Sequence, residues 1–305
     1  MDMNESQRSR QGILFALGAY IMWGIAPIYF KALGAVTAPE VLSHRIIWSF
    51  FFLALLIHLG RRWKVVRDVL HSKKNLSYLL ATALLIGCNW LLFIWAVNSG
   101  HMLEASLGYF INPLINVLFG MLFLQERLRS LQWLAVGLAL TGVAVQVIGF
   151  GSVPVVSLGL ATSFALYGLL RKKVNLDAQT GLFVETLLLL PVATCYLLFI
   201  ANSPTANMVA NSTSLNLLLV AAGLVTTLPL LCFNGAATRL KLSTLGFFQY
   251  IGPSLMFLLA VLVYGEAFES EKAMTFAFIW AALIVFSLDG LSHHKKIRQL
   301  AAHTE

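Results

Sequence analysis

An all-α integral membrane protein, with ten transmembrane helices arranged as two inverted five-helix repeats, is the fold class the sequence predicts. Three observations lead there. The 305 residues are 59% hydrophobic and 11% charged, with a mean hydropathy of +0.81, whereas a soluble domain carries about 25% charged residues. The charged residues gather in short clusters, and the stretches between them reach the roughly 20 apolar residues that one helix needs to cross a bilayer. The sequence also matches itself when it is slid along by 140 residues.

Lipid offers no partner to backbone N–H and C=O groups, so long apolar runs must satisfy them internally as helices. A membrane barrel would need short strands of alternating hydrophobicity, and these runs do not alternate. They fall near 11–33, 40–60, 76–98, 103–124, 130–149, 153–171, 180–200, 214–238, 243–264 and 272–290. The polar start, MDMNESQRSRQ, leads into the first run without a small-residue cleavage site, so it reads as a retained helix rather than a removed signal peptide. Between the second and third runs, RRWKVVRDVLHSKK (61–74) places Trp63, Val66, Val69 and Leu70 at helical spacing among cations. That pattern predicts a short helix on the cytoplasmic surface, with a plain basic loop as the alternative. Cys88, Cys195 and Cys232 all lie inside apolar runs and read as small buried hydrophobes, without disulfide or metal spacing.

The basic residues set the topology. With the N-terminus in the cytoplasm, the inside segments hold Arg8, Arg10, Arg61, Arg62, Lys64, Arg67, Lys73, Lys74, Arg127, Arg129, Arg171, Lys172, Lys173, Arg239, Lys241, Lys295, Lys296 and Arg298. These are 18 of the 21 lysines and arginines, leaving Lys31, Arg45 and Lys272 for the outside half. Ten spans with both termini inside satisfy the positive-inside rule. The formal net charge of +8 is therefore read as a topology signal, not as a nucleic-acid surface.

At the 140-residue offset Pro113 meets Pro253, Glu126 meets Glu266, and Phe110 meets Tyr250; Leu91, Phe93, Ala96, Ile111, Leu118 and Leu122 meet identical residues. At 144, Tyr20, Trp23 and Gly24 meet Phe164, Tyr167 and Gly168. The repeats are 1–150 and 151–305, the second ending in a short cytoplasmic tail. Each holds an odd number of spans, so the second sits upside down relative to the first. Inverted repeats permit opening to either side around a site near the midplane; an old duplication kept for packing is the plainer reading.

Charged groups within spans are the first candidates for function, since each costs about 2.5–3.5 kcal/mol at a helix centre. Arg45, beside His44 in the outer part of its span, is expected to meet Glu104, Glu40 or an anionic group of a substrate. Its repeat partner, Glu185, lies in the inner part of the seventh span, where Arg171, Arg239 or a proton would balance it. Inversion puts Arg45 and Glu185 at opposite depths, so no direct bridge between them is expected. A fixed structural pair is the alternative for both. Lys31 reads as a snorkelling residue, and Asp289 as a helix-end charge.

Polar and aromatic residues at helical spacing mark faces toward a cavity. Tyr109, Asn112 and Asn116 share one face, with Pro113 beside them. Tyr20, Trp23, Gly24 and Pro27 share another, and Asn89, Trp90, Trp95 and Asn98 decorate the third span. Gln249 and Tyr250 stand at the equivalent place in the second repeat. The alternatives are hydrogen bonds between helices for asparagines and the interfacial belt for aromatics. Pro27, Pro113, Pro191, Pro229 and Pro253 inside spans remove backbone donors and can kink a helix, whether as gates or for packing. Glu126 and Glu266 at helix ends are expected to cap the span that follows. No G-x-x-x-x-G-K-[ST], H-E-x-x-H or G-x-S-x-G pattern occurs, so no cofactor, metal or catalytic residue is expected; His293–His294 reads as a solvated end.

The stretch YFINPLINVLFGMLFLQERLRSLQWLAVGLALTGV (109–143), with Pro113, Glu126, Gly137 and Gly142, resembles the fourth and fifth helices of EamA domains in the drug/metabolite transporter superfamily. QYIGPSLMFLLAVLVYGEAF (249–268) repeats it less completely. MWGIAPIYFKAL (22–33), EVLSHRIIWSF (40–50) and GCNWLLFIWAVNSGHMLEASLGYFINPL (87–114) are similar to the RarD-type subfamily, whose name is linked to chloramphenicol sensitivity. The resemblance covers essentially the whole chain. It implies a ten-helix transporter of the bacterial inner membrane with cytoplasmic termini.

The function expected is a secondary transporter that exports or exchanges a small amphipathic or aromatic metabolite or drug by alternating access, with proton coupling through Glu185. Its site would draw on Tyr20, Trp23, Arg45, Trp90, Tyr109, Asn112, Asn116, Glu185, Gln249 and Tyr250. The partners are a small-molecule substrate and the lipid bilayer, with no nucleic acid. The rival readings are a channel and a non-transporting membrane protein such as a lipid-handling enzyme or sensor.

Overall fold

A computed structural model of the chain describes residues 5–302 apart from 35, 100, 152 and 264–269, and every regular element among them is helical. In order these are α1 (Glu5–Ala32), α2 (Ala38–Leu59), α3 (Trp63–His71), α4 (Lys73–Asn98), α5 (Met102–Leu124) and α6 (Ser130–Phe150), followed by α7 (Val155–Val174), α8 (Ala178–Phe199), α9 (Thr213–Ala237), α10 (Leu242–Gln249), α11 (Ile251–Leu262) and α12 (Ser270–Ala302). Nine stretches among the described residues are long and apolar enough to cross a membrane, α10 and α11 counting together as one. The chain is thus an integral, multi-pass membrane protein. The expected run at 153–171 forms α7, which is 20 residues long but closes on Arg171, Lys172 and Lys173. Those cations dilute its hydropathy, and α7 is not among the nine. Glu266 lies outside the described residues, as do the side chains of Asn98, Lys272, His293 and His294.

Local chemistry sets the helix ends. The side chains of Ser72, Asp177 and Ser212 accept from Asn75, Thr180 and Leu215 backbone N–H groups at 3.4, 3.0 and 3.2 Å, satisfying donors that a helix start leaves orphaned. Glu126 is also a cap, but not of the following span as the sequence suggested. Its carboxylate accepts from Leu242 N, Ser243 N and Ser243 Oγ at 2.6, 3.0 and 2.7 Å, and so closes the start of α10, in the other half of the chain. The start of α6 instead uses Gln132, whose Oε1 accepts from Arg129 N at 3.0 Å.

The run expected as one span over 243–264 is broken at Tyr250, between α10 and α11. Pro253 has no N–H to give the Gln249 carbonyl, so the helical ladder is interrupted there. The Tyr250 hydroxyl meanwhile donates to the Phe110 carbonyl at 3.1 Å, a bond between the two residues that the 140-residue offset pairs. Pro113, the repeat partner of Pro253, lies within an unbroken α5.

The surface helix expected in 61–74 is α3. It buries Val66 and Val69 and sets the Trp63 ring edge-on to Phe183 at 5.6 Å. The cysteines depart from expectation, since Cys88 and Cys195 are exposed and only Cys232 is half-buried. The reason is the solvent, because a bilayer accepts apolar side chains outward as readily as the core does inward. Asp289 is buried and bound by Arg129, Nε to Oδ2 at 2.7 Å, which ties the start of α6 to α12.

The helices pack in a pattern of answering pairs. α6 lies on α12, α2 on α8, and α5 on α10. The contact of α1 with α9 is answered by α7 with α4, that of α2 with α9 by α8 with α4, and that of α5 with α7 by α1 with α11. Small residues allow the closest of these. A Cβ on Gly223 of α9 would stand 2.5 Å from the backbone carbon of Trp48, so α2 and α9 touch backbone to backbone there. One apolar core joins Tyr20, Leu53, Tyr167, Phe183 and Phe233, and a second joins Phe110, Ile111, Phe247 and Phe276.

Candidate functional site

Arg45 stands seven residues beyond the start of α2 and Glu185 seven beyond the start of α8, each about 10 Å along its helix at 1.5 Å per residue. Neither carboxylate expected for Arg45 reaches it. Glu40 accepts from Thr205 Oγ1 at 2.8 Å, and Glu104 accepts from Val156 N at 3.1 Å, so both acids serve the ends and loops of the bundle. Arg45 instead donates from Nε to Thr226 Oγ1 on α9 at 2.7 Å. Its guanidinium lies over Trp90 at 5.0 Å and Phe30 at 5.4 Å, within electrostatic range of Tyr29 and Tyr109. Among the described residues no carboxylate comes within ion-pair distance of Arg45. Cation–π contact holds the charge against aromatic faces but leaves the outer amino groups without an acid.

Glu185 is the opposite case. It is buried and fully engaged, with Thr82 Oγ1 donating to Oε1 at 2.6 Å and Tyr167 OH donating to Oε2 at 3.2 Å. Asn234 Nδ2 donates in turn to the Tyr167 hydroxyl at 3.0 Å. Arg171, one of the partners expected from the sequence, lies 3.5 Å away, Nη1 to Oε1. This guanidinium is wholly buried and none of its nitrogens makes a hydrogen bond within normal geometry. Only a glycine leaves it room, since a Cβ on Gly181 would fall 1.9 Å from Nη1. Among the described residues Arg45 and Glu185 do not bridge each other.

The polar face of α5 joins helices. Asn112 Nδ2 donates to the Ala161 carbonyl of α7 at 2.6 Å, and Asn116 Nδ2 donates to Asn112 Oδ1 at 2.9 Å and Gln249 Oε1 at 3.1 Å. Tyr20 is buried, with its hydroxyl donating to the Leu245 carbonyl at 3.3 Å. Trp23 is half-buried and meets Tyr20, Phe164 and Phe233 with ring centroids 5.6, 5.9 and 5.8 Å away. Tyr109 is exposed, edge-on to Phe93 at 6.2 Å. The ten residues singled out from the sequence thus fall into an Arg45–Trp90 group with Tyr109 nearby, the Glu185 network, and the interlocked set of Tyr20, Asn112, Asn116, Gln249 and Tyr250, with Trp23 among the aromatics of the first core.

Sequence reasoning passed over Thr226, Thr82 and Asn234, which are unremarked polar residues in apolar runs, and a cavity of about 870 Å³. The cavity lies where α8 begins and α9 ends, and its lining includes Arg8, Arg62, Arg239 and Asp177 together with Phe15 and Cys232. None of the ten residues above lines it. In the sequence its arginines are topology signals, with Arg239 also a candidate to balance Glu185; Arg239 instead donates to the Gly235 carbonyl, and convergence from distant segments is what sets the three apart.

A model of the EamA-like transporter family matches residues 10–148. The chain is 68% identical over 287 residues to a protein of Vibrio cholerae named an uncharacterized transporter, covering 94% of this chain and 95% of that one. It is 61% identical over 292 residues to the protein RarD of Salmonella typhimurium, covering 96% and 99%. A Pseudomonas aeruginosa protein named chloramphenicol-sensitive protein RarD is 35% identical over 285 residues, covering 92% and 95%. A solved crystal structure superposes with a TM-score of 0.71 at 20% identity, covering 92% of this chain and 98% of its own, which speaks for the fold alone.

Proposed function

The chain belongs to the EamA-like transporter family as a transporter of the RarD type, and from that premise we propose that it is a secondary exporter or exchanger of a small amphipathic or aromatic metabolite or drug. The two halves, 1–150 and 151–305, act as inverted five-helix repeats that rock about a central path in the bacterial inner membrane, both termini in the cytoplasm. Support for the repeat comes from the answering helix pairs, which exchange into one another when α1, α2, α4, α5 and α6 are swapped for α7, α8, α9, α10–α11 and α12. α7 then supplies the tenth crossing.

Arg45 carries the reading. A cation within a membrane helix, lacking an acid and resting on Trp90 and Phe30, suits a substrate with an aromatic body and an acceptor group. Arg45, Trp90, Tyr109 and Trp23 contact that substrate, while Tyr20, Asn112, Asn116, Gln249 and Tyr250 hold the interface along which the halves move. Glu185 takes up the coupling proton; its removal from Arg171 and Tyr167 on opening would change its charge state. Chloramphenicol, which the name of the Pseudomonas aeruginosa relative mentions, belongs among the first compounds to test.

The test is uptake of labelled solutes, chloramphenicol and aromatic metabolites among them, into proteoliposomes with and without a pH gradient. Arg45→Gln is expected to lower the transport of whichever of these solutes is carried by about 10- to 100-fold, the range that follows from losing one charge-assisted hydrogen bond of about 1.5–3 kcal/mol. Unchanged transport in that variant would remove Arg45 from the site, and indifference to the gradient would remove proton coupling.

A further inference from the structure

The proposed function leaves the charge of the solute open, and the cavity at the junction of α8 and α9 bears on it. Its wall brings together Arg8 from α1, Arg62 from the turn between α2 and α3, and Arg239 from the turn after α9, against a single acid, Asp177. That acid is spent. Asp177 Oδ1 accepts from Arg62 Nη1 at 2.9 Å and from Thr180 N at 3.0 Å. Arg8 and Arg239 have no carboxylate within ion-pair distance among the described residues.

A guanidinium carries five donors and no acceptor, and backbone oxygens take few of them here. Arg8 Nη2 donates to the Thr238 carbonyl at 3.0 Å, and Arg239 Nη1 donates to the Gly235 carbonyl at 2.9 Å. The Arg239 Nε is buried and meets no acceptor. Phe15 lies under that guanidinium at 5.1 Å and fixes it against the wall. Burial, and then the charge of Arg8, pull Arg239 below its ordinary range, so an anion bound between the two would relieve both. Arg8 is exposed, as are Arg61, Lys64 and Arg67, but those three line no part of this cavity. The lining also includes apolar residues, Phe15 and Leu231 among them.

We propose that this cavity is an anion-selecting vestibule, and that the transported solute is an organic anion whose carboxylate or phosphate-like head meets Arg239 and Arg8 while its apolar body lies on Phe15 and Leu231. The proposal rests on the transporter reading and names the charge of its substrate. An anionic lipid headgroup presents the same chemistry; the solute is assigned here because the cavity combines the cations with apolar lining residues.

Cys232 lies on the wall and is half-buried, which gives a native reporter. The chain carrying Cys88→Ala and Cys195→Ala, in phosphatidylcholine nanodiscs, is reacted with three methanethiosulfonates that carry a neutral methyl, an anionic sulfonatoethyl or a cationic trimethylammonioethyl group. Each rate is divided by that reagent's rate on free cysteine. The normalised anionic rate is expected to exceed the cationic one by about 10-fold or more, the low end of what charged clefts produce. Arg8→Gln with Arg239→Gln should bring the ratio close to one. A ratio at or below one in the unsubstituted lining, or one that the double substitution leaves unchanged, overturns the proposal. Failure of the neutral reagent to reach Cys232 also overturns it, because a vestibule must admit small molecules.

Phosphatidylglycerol in the discs separates the two sources of the anion. A preference for the anionic reagent that survives there supports a water-borne solute, and loss of all three reactions only in those discs assigns the cavity to a lipid headgroup and overturns the solute. Thiol rates do not report transport. A chain that moves solutes into proteoliposomes yet lacks the anion preference keeps the transporter reading and loses this one.

Discussion

Arg171 and Glu185 form a costly arrangement, two buried charges with one incomplete ion contact between them. Removing one partner from such a pair strands the other, at a cost of about 3–5 kcal/mol, whereas replacing both by apolar residues is often neutral. Glu185→Leu is therefore expected to lower the thermal midpoint of the purified protein well below that of Arg171→Met combined with Glu185→Leu. If the double variant is stable yet transports without regard to a pH gradient, the pair serves coupling rather than folding. At this scale the sequence was legible in part. Charge within an apolar run singled out Arg45 and Glu185, and Arg171 was foreseen as a partner. Thr226 and Thr82 were not, because a threonine in a membrane helix can bond its own preceding turn and carries no mark of the cross-helix bond it makes.

Between α10 and α11 the backbone yields at Tyr250, and Pro253 is the cause the sequence offers. Pro253→Ala returns a donor to the Gln249 carbonyl and is expected to join the two helices, holding or raising the thermal midpoint by up to a few degrees. Transport turnover in proteoliposomes should fall at the same time if bending here accompanies rocking; unchanged turnover would make the break a packing feature only. Helix existence was legible because lipid forces long apolar runs into helices. The break was not, since Pro113 and Pro253 look alike in the sequence while only the second interrupts its helix. Caps show the same limit. The role of Glu126 was readable, but the helix it closes begins at Leu242, and nothing in the local sequence points across that distance.

The whole bundle places 18 of its 21 lysines and arginines in alternate connections, and this predicts accessibility from each side. In a chain without its native cysteines, Asn207→Cys in the turn before α9 should react with an impermeant maleimide added outside intact cells, and Lys241→Cys only after lysis. The reverse pattern would invert the molecule, and labelling of both from outside would discard the ten-span topology. Charge placement is the ground for this topology, but it concealed the cavity, because Arg8, Arg62 and Arg239 meet the same rule as the cations that line no part of it. In the proposed arrangement the second helix of each repeat sends a charge to a threonine on the third span of the other: half-buried Arg45 to Thr226, and buried Glu185 to Thr82. The 140-residue offset pairs Arg45 with Glu185, and their charges are opposite, while Thr82 and Thr226, 144 residues apart, stand about one helical turn out of that register. Turning the membrane over would therefore yield a chemically different machine, with a cation lacking an acid toward one compartment and an acid–base pair toward the other. If the halves rock as proposed, the outward- and inward-facing forms would differ in free energy even with equal solute on both sides, and the empty carrier would have a preferred resting side.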